Sequence, residues 1–387
     1  MSEIQFRRLA MTEARISVEI VTSDDAGTAS HDLWFEYSRP LPVSTTSVAL
    51  ALSTLCGRAY GQVHFDFPVA DEVLGGILEV TGARLSTAGQ ERWVDVPRRG
   101  HLLSFSGGFD SLAARSLMPD ETALVSIDFG GRFARERKFF SNFDTLRVST
   151  NLVETPFRKN SWSFMGIAAI LAGDFYRARY LTFGSILEAG PDNMRPDPAA
   201  ARNATFPVFR EAGYSSAPYV QGLTEIGTLK VILSSVPEII GESLLSLASP
   251  GEEKLYRKRT LARLAADACG VSVELPEITP PSRPHFAFGD NFLVDFLCVY
   301  AMNRLDAEQA RLLVRDIPDE VIEVAGGMRL DFYERANTVL YEGFPAELRG
   351  RLYARLAECG IGWYTEDDWR EYGVVRNLLS KYHPTVG

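Results

Sequence analysis

Cysteine is scarce in this 387-residue chain: Cys56, Cys269, Cys298 and Cys359 are widely spaced and form no CxxC pair. A zinc ribbon or a dithiol redox motif needs close spacing, so both are excluded, and the usage fits free thiols in a reducing cytoplasm. Histidine is equally sparse. His31, His64, His101, His285 and His383 stand alone and no HExxH occurs, which leaves a histidine-bound metal without support. No run of about twenty uncharged apolar residues is present, arguing against a membrane span, and the opening Met1-Ser-Glu-Ile-Gln-Phe-Arg-Arg8 does not read as a signal peptide. A cytoplasmic location is expected. Positive charge is in deficit, with 40 Lys and Arg against 50 Asp and Glu, a formal net charge of −10. No whole-surface field draws such a chain to nucleic acid, although a local basic patch could. Small molecules or protein partners are the better expectation. There is no internal repeat or low-complexity tract.

Hydrophobic residues make up 46% of the chain and charged residues 23%, close to an ordinary globular composition, and the length suggests two or three domains of ~150 residues. Three regions stand out. Residues 1–98 carry alternating stretches, Arg15 to Val21, Asp32 to Tyr37 and Gln62 to Phe67, that read as half-buried strands, with a helix-like apolar stretch from Ser47 to Tyr60. This is a small α+β module with no recognisable chemistry. Residues 99–282 alternate strands (Leu102 to Phe105, Ala123 to Phe129, Leu146 to Ser149, Tyr180 to Gly184) with helices (Ser111 to Met118, Phe133 to Phe143, Ser161 to Arg179). That alternation predicts an α/β fold with a doubly wound parallel sheet. After a linker at Pro280 to Pro284, residues 283–387 read as a helical module: Phe292 to Leu305, Ala307 to Val314, Asp331 to Leu340, Ala346 to Ala357 and Glu366 to Leu379.

One segment carries chemistry. Leu103-Ser-Phe-Ser-Gly-Gly-Phe-Asp-Ser-Leu112 places a Ser-Gly-Gly turn between a strand ending at Phe105 and a helix starting near Asp110. Gly107 and Gly108 permit backbone angles closed to other residues and let the main chain approach a ligand. The N–H groups and dipole of the helix start favour an anion there. Ser106 and Ser111 add hydroxyl donors, and Asp110 can hold a Mg²⁺ that shares phosphate charge. No Gly-Lys-Ser/Thr follows, so this is not a Walker A loop. A bare strand-to-helix turn would use the same glycines and cap, but the full string at a βαβ junction favours a phosphate site.

Ser106-Gly-Gly-Phe-Asp-Ser111 resembles the pyrophosphatase loop of the N-type ATP pyrophosphatases, which cleave ATP to AMP and pyrophosphate while activating a substrate oxygen. Among their branches the sequence is most similar to 7-cyano-7-deazaguanine synthase. Asp128-Phe-Gly-Gly-Arg132 followed by Glu136 resembles its second-strand motif. Arg158-Lys-Asn160 ahead of Ile167-Ala-Ala-Ile170 approximates its next landmark, and Gly184 and Glu188 stand where its fourth strand delivers a Gly and a Glu. The resemblance spans about residues 101–235 and implies an adenine nucleotide alpha hydrolase-like core. It implies phosphate binding by Ser106, Gly107, Gly108, Phe109, Asp110 and Ser111, adenine flanked by Ile127 and Phe129, and catalytic roles for Asp110, Arg132, Glu188 and Lys230. ATP and Mg²⁺ are the implied cofactors, with Asp110 on the metal.

The departures bear on the substrate. The zinc-binding cysteines of that synthase are missing, the stretch reading Ser249-Pro-Gly-Glu-Glu-Lys-Leu-Tyr-Arg-Lys-Arg259 instead, so no zinc is expected. A Lys two residues before a late-helix Glu is replaced by Leu223, with Lys230 as a substitute. Residues 1–98 and 283–387 have no counterpart, and are expected as surfaces for protein partners. The expectation is an AMP-forming ligase with an altered acceptor, a small molecule or a protein, attacked by an amine or ammonia, in a biosynthetic or defence setting. Two alternatives stay open: a non-catalytic ATP-binding sensor or scaffold, and a tRNA- or DNA-modifying member, which the acidic charge disfavours. The basic runs Arg132 to Lys138 and Arg257-Lys258-Arg259 read mainly as solvated helix faces, with phosphate or substrate contact as the other reading. Cys269 and Cys298 read as core thiols.

Overall fold

The structure, a computed structural model, describes residues 2–94, 96–249 and 251–386, apart from the side chains of Arg132 and Ala307. The chain divides into two compact units. The first comprises the residues up to Ser106 with Asp120–Thr182 and Thr205–Ser216; the second comprises Gly107–Pro119, Phe183–Ala204 and the residues from Ala217 onward.

The first unit holds a ten-stranded sheet: β1 (Glu3–Met11), β2 (Arg15–Asp24), β3 (Gly27–Tyr37), β4 (Gln62–Phe65), β5 (Arg84–Thr87), β6 (His101–Ser104), β7 (Ala123–Asp128), β8 (Thr145–Thr150), β9 (Tyr180–Thr182) and β10 (Ser215–Ser216). Their spatial order is β10-β9-β6-β7-β8-β3-β2-β1-β4-β5. β1, β2 and β3 form an antiparallel meander, and β3 joins β8 antiparallel with Phe35 opposite Thr150; every other neighbouring pair is parallel. The architecture is α/β. The composition-based segments 1–98, 99–282 and 283–387 run across the two units, because β3 continues the parallel sheet through β8.

Burial explains the two kinds of strand. In β2, Ile16, Val18 and Ile20 are buried while their neighbours are not, the alternation of a strand with one core face. In β6 the successive residues Leu102 and Leu103 are both fully buried. Successive side chains point to opposite faces, so both faces of the sheet are covered there, as parallel strands require. The helices of this unit are Thr45–Ser53 (α1) and Asp71–Thr81 (α2), then, after a helix of the other unit at Phe109–Leu117 (α3), Ala134–Phe140 (α4), Ile167–Leu171 (α5), Gly173–Tyr176 (α6) and Pro207–Glu211 (α7). The single helix expected from Ser161 to Arg179 is broken. It starts as a 3₁₀ turn at Trp162–Gly166 and ends at Arg177, whose φ of 49° is left-handed.

The second unit is helical: α3, then Glu225–Ser235 (α8), Ile240–Leu247 (α9), Glu253–Cys269 (α10), Phe292–Arg304 (α11), Ala307–Arg311 (α12), Asp319–Gly326 (α13), Ala346–Glu358 (α14) and Glu366–Leu379 (α15). α8 is buried almost all round and packs against α3 and α10. The helix expected from Asp331 to Leu340 is instead two 3₁₀ turns, Asp331–Glu334 and Thr338–Tyr341. Between them the backbone bonds elsewhere, Ala336 N to the Gly362 carbonyl at 2.9 Å and Asn337 N to that of Gly222 at 2.8 Å. Those bonds remove the i−4 partners that a helix would use.

Candidate active site

The Ser-Gly-Gly turn leaves the carboxyl end of β6. Phe105 N donates to the Val125 carbonyl at 2.7 Å and the Phe105 carbonyl accepts from Ser126 Oγ at 2.8 Å, which ties the start of the loop to β7. Counted in chain order from β6, the parallel strands run β8-β7-β6-β9-β10, that is 3-2-1-4-5. The order reverses between β6 and β9, and such switch points are where open α/β sheets bind ligands. Gly107 has φ 74°, left-handed backbone that a side chain disfavours. Gly108 is the N-cap of α3 and supplies no side-chain cap, and Asp110 lies in the first turn of this nine-residue helix, at its positive dipole end. Ser243 Oγ donates to the Gly107 carbonyl at 2.8 Å. Ser106 is exposed. Ser111, expected to present its hydroxyl to phosphate, is buried and donates to the Gly108 carbonyl at 2.9 Å. Phe109 is also buried, its ring 5.6 Å from Lys258 Nζ.

Behind the loop, within the second unit, four ionisable side chains come together. Lys258 Nζ pairs with Glu225 Oε2 at 2.7 Å. Glu225 N, in the first turn of α8, donates to Glu188 Oε1 at 2.7 Å. Thr228 Oγ1 donates to Asp110 Oδ1 at 3.4 Å. Glu188 and Glu225 are each 1% exposed, and Glu188 Oε2 and Glu225 Oε1 have no hydrogen-bond partner. Burial pushes the Asp110 carboxyl up to about 6, opposed by Lys258 and reinforced by Glu225. Burial pushes Glu188 up to about 8, opposed by the Glu225 amide and reinforced by the Glu225 charge. For Lys258, burial lowers the pKa, but Glu225 and Asp110 outweigh it and the net direction is up. At neutral pH Asp110 is therefore mostly ionised, Lys258 is charged and Glu188 keeps its proton. Two carboxyls driven apart in this way are suited to different roles in one site.

The other expected residues fall in several places. Ile127 and Phe129 are half-buried at the carboxyl end of β7, and the Phe129 ring lies 5.6 Å from that of Phe133 and 6.2 Å from that of Phe164. Asp128 between them is buried and structural: it accepts from Gly130 N (2.9 Å), Arg137 Nε (2.5 Å) and Ser149 Oγ (3.2 Å). The Arg132 side chain lies outside the described residues. Lys230 is not beside Asp110. It pairs with Glu334 at 3.0 Å, and Glu334 also accepts from Tyr300 at 3.0 Å. Helix geometry is the reason, since a residue five positions after Glu225 points about 140° away from it. The lysine beside Asp110 is Lys258.

Lys258 was read mainly as part of a solvated run, and Glu225 only as the late-helix Glu two residues after Leu223, with no role given to it. A signal existed in each case. Lys258 follows Leu255 by three and precedes Leu261 and Ala262 by three and four, all buried, so it lies on the apolar stripe of α10 despite its basic neighbours. Glu225 is in line with the buried Leu229 and Ile232 on α8.

Neither protein-family models nor curated proteins nor solved structures gave a match to this chain. Among the described residues no helix is long and apolar enough to cross a membrane, and no group of three or more His, Cys, Asp or Glu side chains is arranged as a metal site.

Two expected results follow from this geometry. A Cβ on Gly184 would lie 3.0 Å from Ser111 N and 3.1 Å from Asp110 Cβ. Gly184→Ala should therefore lower stability in chemical denaturation by about 1–3 kcal/mol, the range for overpacking a close-fitting site. A loss below a few tenths would show that the loop gives way freely. The second concerns pH. Glu188 has a folded pKa raised above its unfolded value, so the stability associated with its proton is fully present below the unfolded pKa and is lost as pH rises through about 8. Glu188→Gln keeps the oxygen that accepts from Glu225 N and replaces the carboxyl proton with an amide donor. It should melt near wild type at about pH 5 and above it at about pH 8.5. Parallel melting curves across that range would contradict the assignment of the proton to Glu188.

Proposed function

We propose that the chain is an ATP-dependent, AMP-forming ligase on a doubly wound nucleotide-binding core, of the class its Ser106–Ser111 loop resembles. The observation that carries this reading is the position of the loop. It leaves β6 at the reversal of strand order, turns at a left-handed glycine and opens α3 with a second glycine. The β and γ phosphates would lie against the amides of the loop that opens α3. The carboxylate of Asp110 suits a Mg²⁺ entering with ATP, because such an ion needs only one or two protein carboxylates and takes its remaining ligands from phosphate and water. When bound, the ion supplies charge neutralisation on the departing pyrophosphate.

The reaction balances in two steps. A carboxylate or amide oxygen of the acceptor attacks the α phosphorus, forming an acyl- or imidoyl-adenylate and expelling pyrophosphate. An amine or ammonia then attacks the activated carbon, AMP leaves with the electron pair of the C–O bond, and a proton is released. Lys258 beside Asp110 offers a fixed positive charge near the loop, and Glu188, with a pKa near the working pH, is matched to passing a proton during the second step. Leu223 and the placement of Lys230 beside Glu334 leave unfilled the lysine role that the resemblance implies, and Lys258 would supply that charge from another helix. Isotope exchange tests the reading: radiolabelled pyrophosphate should enter ATP when protein, Mg²⁺ and a fraction of cell extract holding the acceptor are combined. Saturable ATP binding with no exchange in any fraction would favour a sensor or scaffold instead.

A further inference from the structure

The peptide between Gly107 and Gly108 has glycine on both sides. With no Cβ to hinder rotation about the bonds next to it, this is the unit of the loop most able to turn over. A trans peptide is planar, with its C=O and N–H on opposite sides, so a group that grips the carbonyl also aims the N–H. Two serine hydroxyls grip the glycine turn in this way. The Gly108 carbonyl accepts from Ser111 Oγ at 2.9 Å and from Leu112 N at 3.0 Å. That hold is local and comes with the first turn of α3. The Gly107 carbonyl accepts from Ser243 Oγ at 2.8 Å, across 136 residues of sequence. Ser243 lies on α9 and is fully buried, and Gly107 is buried too. Water does not replace the hydroxyl at such a place, and a buried carbonyl without a donor is costly.

Ser243 also differs from other helical serines of this unit. A serine inside a helix often bonds back to a carbonyl one turn earlier. Ser246 does so on the same helix, donating to the Ser243 carbonyl at 2.7 Å, and Ser116 and Ser235 donate to the Leu112 and Val231 carbonyls at 3.1 and 2.7 Å. Ser243 instead sends its hydroxyl out of α9 to the glycine turn.

We propose that Ser243 is a positioning residue for the phosphate loop. By holding the Gly107 carbonyl it keeps the Gly107–Gly108 peptide from turning over, and so sets the direction of the amides offered to a diphosphate. The role rests on the nucleotide reading above for its ligand. The phosphate grip then depends on α9, a helix outside the Ser106–Ser111 motif, and Ser243 touches the loop without touching the reacting atoms.

Calorimetry on the full chain with Mg²⁺ tests this, with pyrophosphate as probe and AMP, which lacks the β and γ phosphates, as its control. Ser243→Ala should weaken pyrophosphate by about tenfold, the equivalent of one lost hydrogen bond, and leave AMP within about twofold of wild type. Ser243→Thr keeps the hydroxyl and should bring pyrophosphate back to within about threefold of wild type. If Ser243→Ala does not fold, Ser243→Cys retains the side-chain volume with a much weaker donor and should show the same selective loss. Unchanged pyrophosphate affinity, equal weakening of pyrophosphate and AMP, or a threonine variant no better than the alanine one would overturn the role of Ser243. A wild-type chain that does not bind pyrophosphate would remove the nucleotide reading and this role with it. AMP formation is measured separately. Selective loss of pyrophosphate in Ser243→Ala, in a protein that forms no AMP with any extract, would keep the role of Ser243 and remove the ligase reading alone.

Discussion

Lys258→Met is expected to destabilise the protein by ~3–5 kcal/mol, the cost of removing one partner from a buried ion pair. The methionine side chain has similar length and fills the same space, so packing is largely kept. What is lost is the ammonium 2.7 Å from Glu225 and the chief influence that lowers the Asp110 pKa. Against a typical total of ~5–15 kcal/mol, such a loss is a large fraction and should be plain in urea unfolding at neutral pH. It should shrink as pH falls and Asp110 takes up its proton. Adding Glu225→Gln should recover part of it, because the uncompensated charge is then gone. A loss within ~0–1 kcal/mol, the range of solvated surface pairs, would mean that Lys258 is not part of a buried cluster.

The second large effect is on turnover. Asp110→Asn should reduce AMP formation by ~10²–10³-fold, the range seen when one preorganised electrostatic group is removed from a transition state. Stability should move the other way. The folded pKa of Asp110 is raised to about 6, so stability is lost as pH rises from the unfolded value through about 6, and a neutral amide escapes that loss. At about pH 8 the variant should be as stable as wild type or more so. The combination separates a catalytic defect from misfolding, which would lower both quantities. Turnover within about threefold of wild type would remove Asp110 from the metal and phosphate site.

The legible part of the chain was its strongly periodic part. β6, β7 and β8 and the start of α3 follow from short apolar runs bounded by turn residues, and the Ser106–Ser111 loop falls at the expected junction. β1 was missed because its inner face is marked only by Ile4 and Phe6 before Arg7 and Arg8, and Arg8 turns left-handed at an irregularity in the pairing with β2. α13 was missed and a helix at Asp331 to Leu340 was expected in its stead, since the bonds from Ala336 and Asn337 to distant carbonyls leave no local mark. The candidate site divides in the same way. Gly107, Gly108, Asp110 and Glu188 were readable from local motif and resemblance. Glu225 was marked by the resemblance but given no role, and Lys258 was passed over because charged residues on an apolar stripe are weighed by their neighbours in sequence, and Arg257 and Arg259 made a solvated run the simpler reading. Lys230 was chosen by its distance along the chain from Leu223, whereas the angular position around α8 decides which residues face Asp110.

The proposed reaction cleaves ATP between its α and β phosphates. Purified protein incubated with ATP, Mg²⁺ and cell extract, followed by chromatographic separation of the nucleotides, tests it most directly. AMP and pyrophosphate should form in equal amounts, dependent on the protein and lost in Asp110→Asn. ADP with orthophosphate as the protein-dependent products would contradict it.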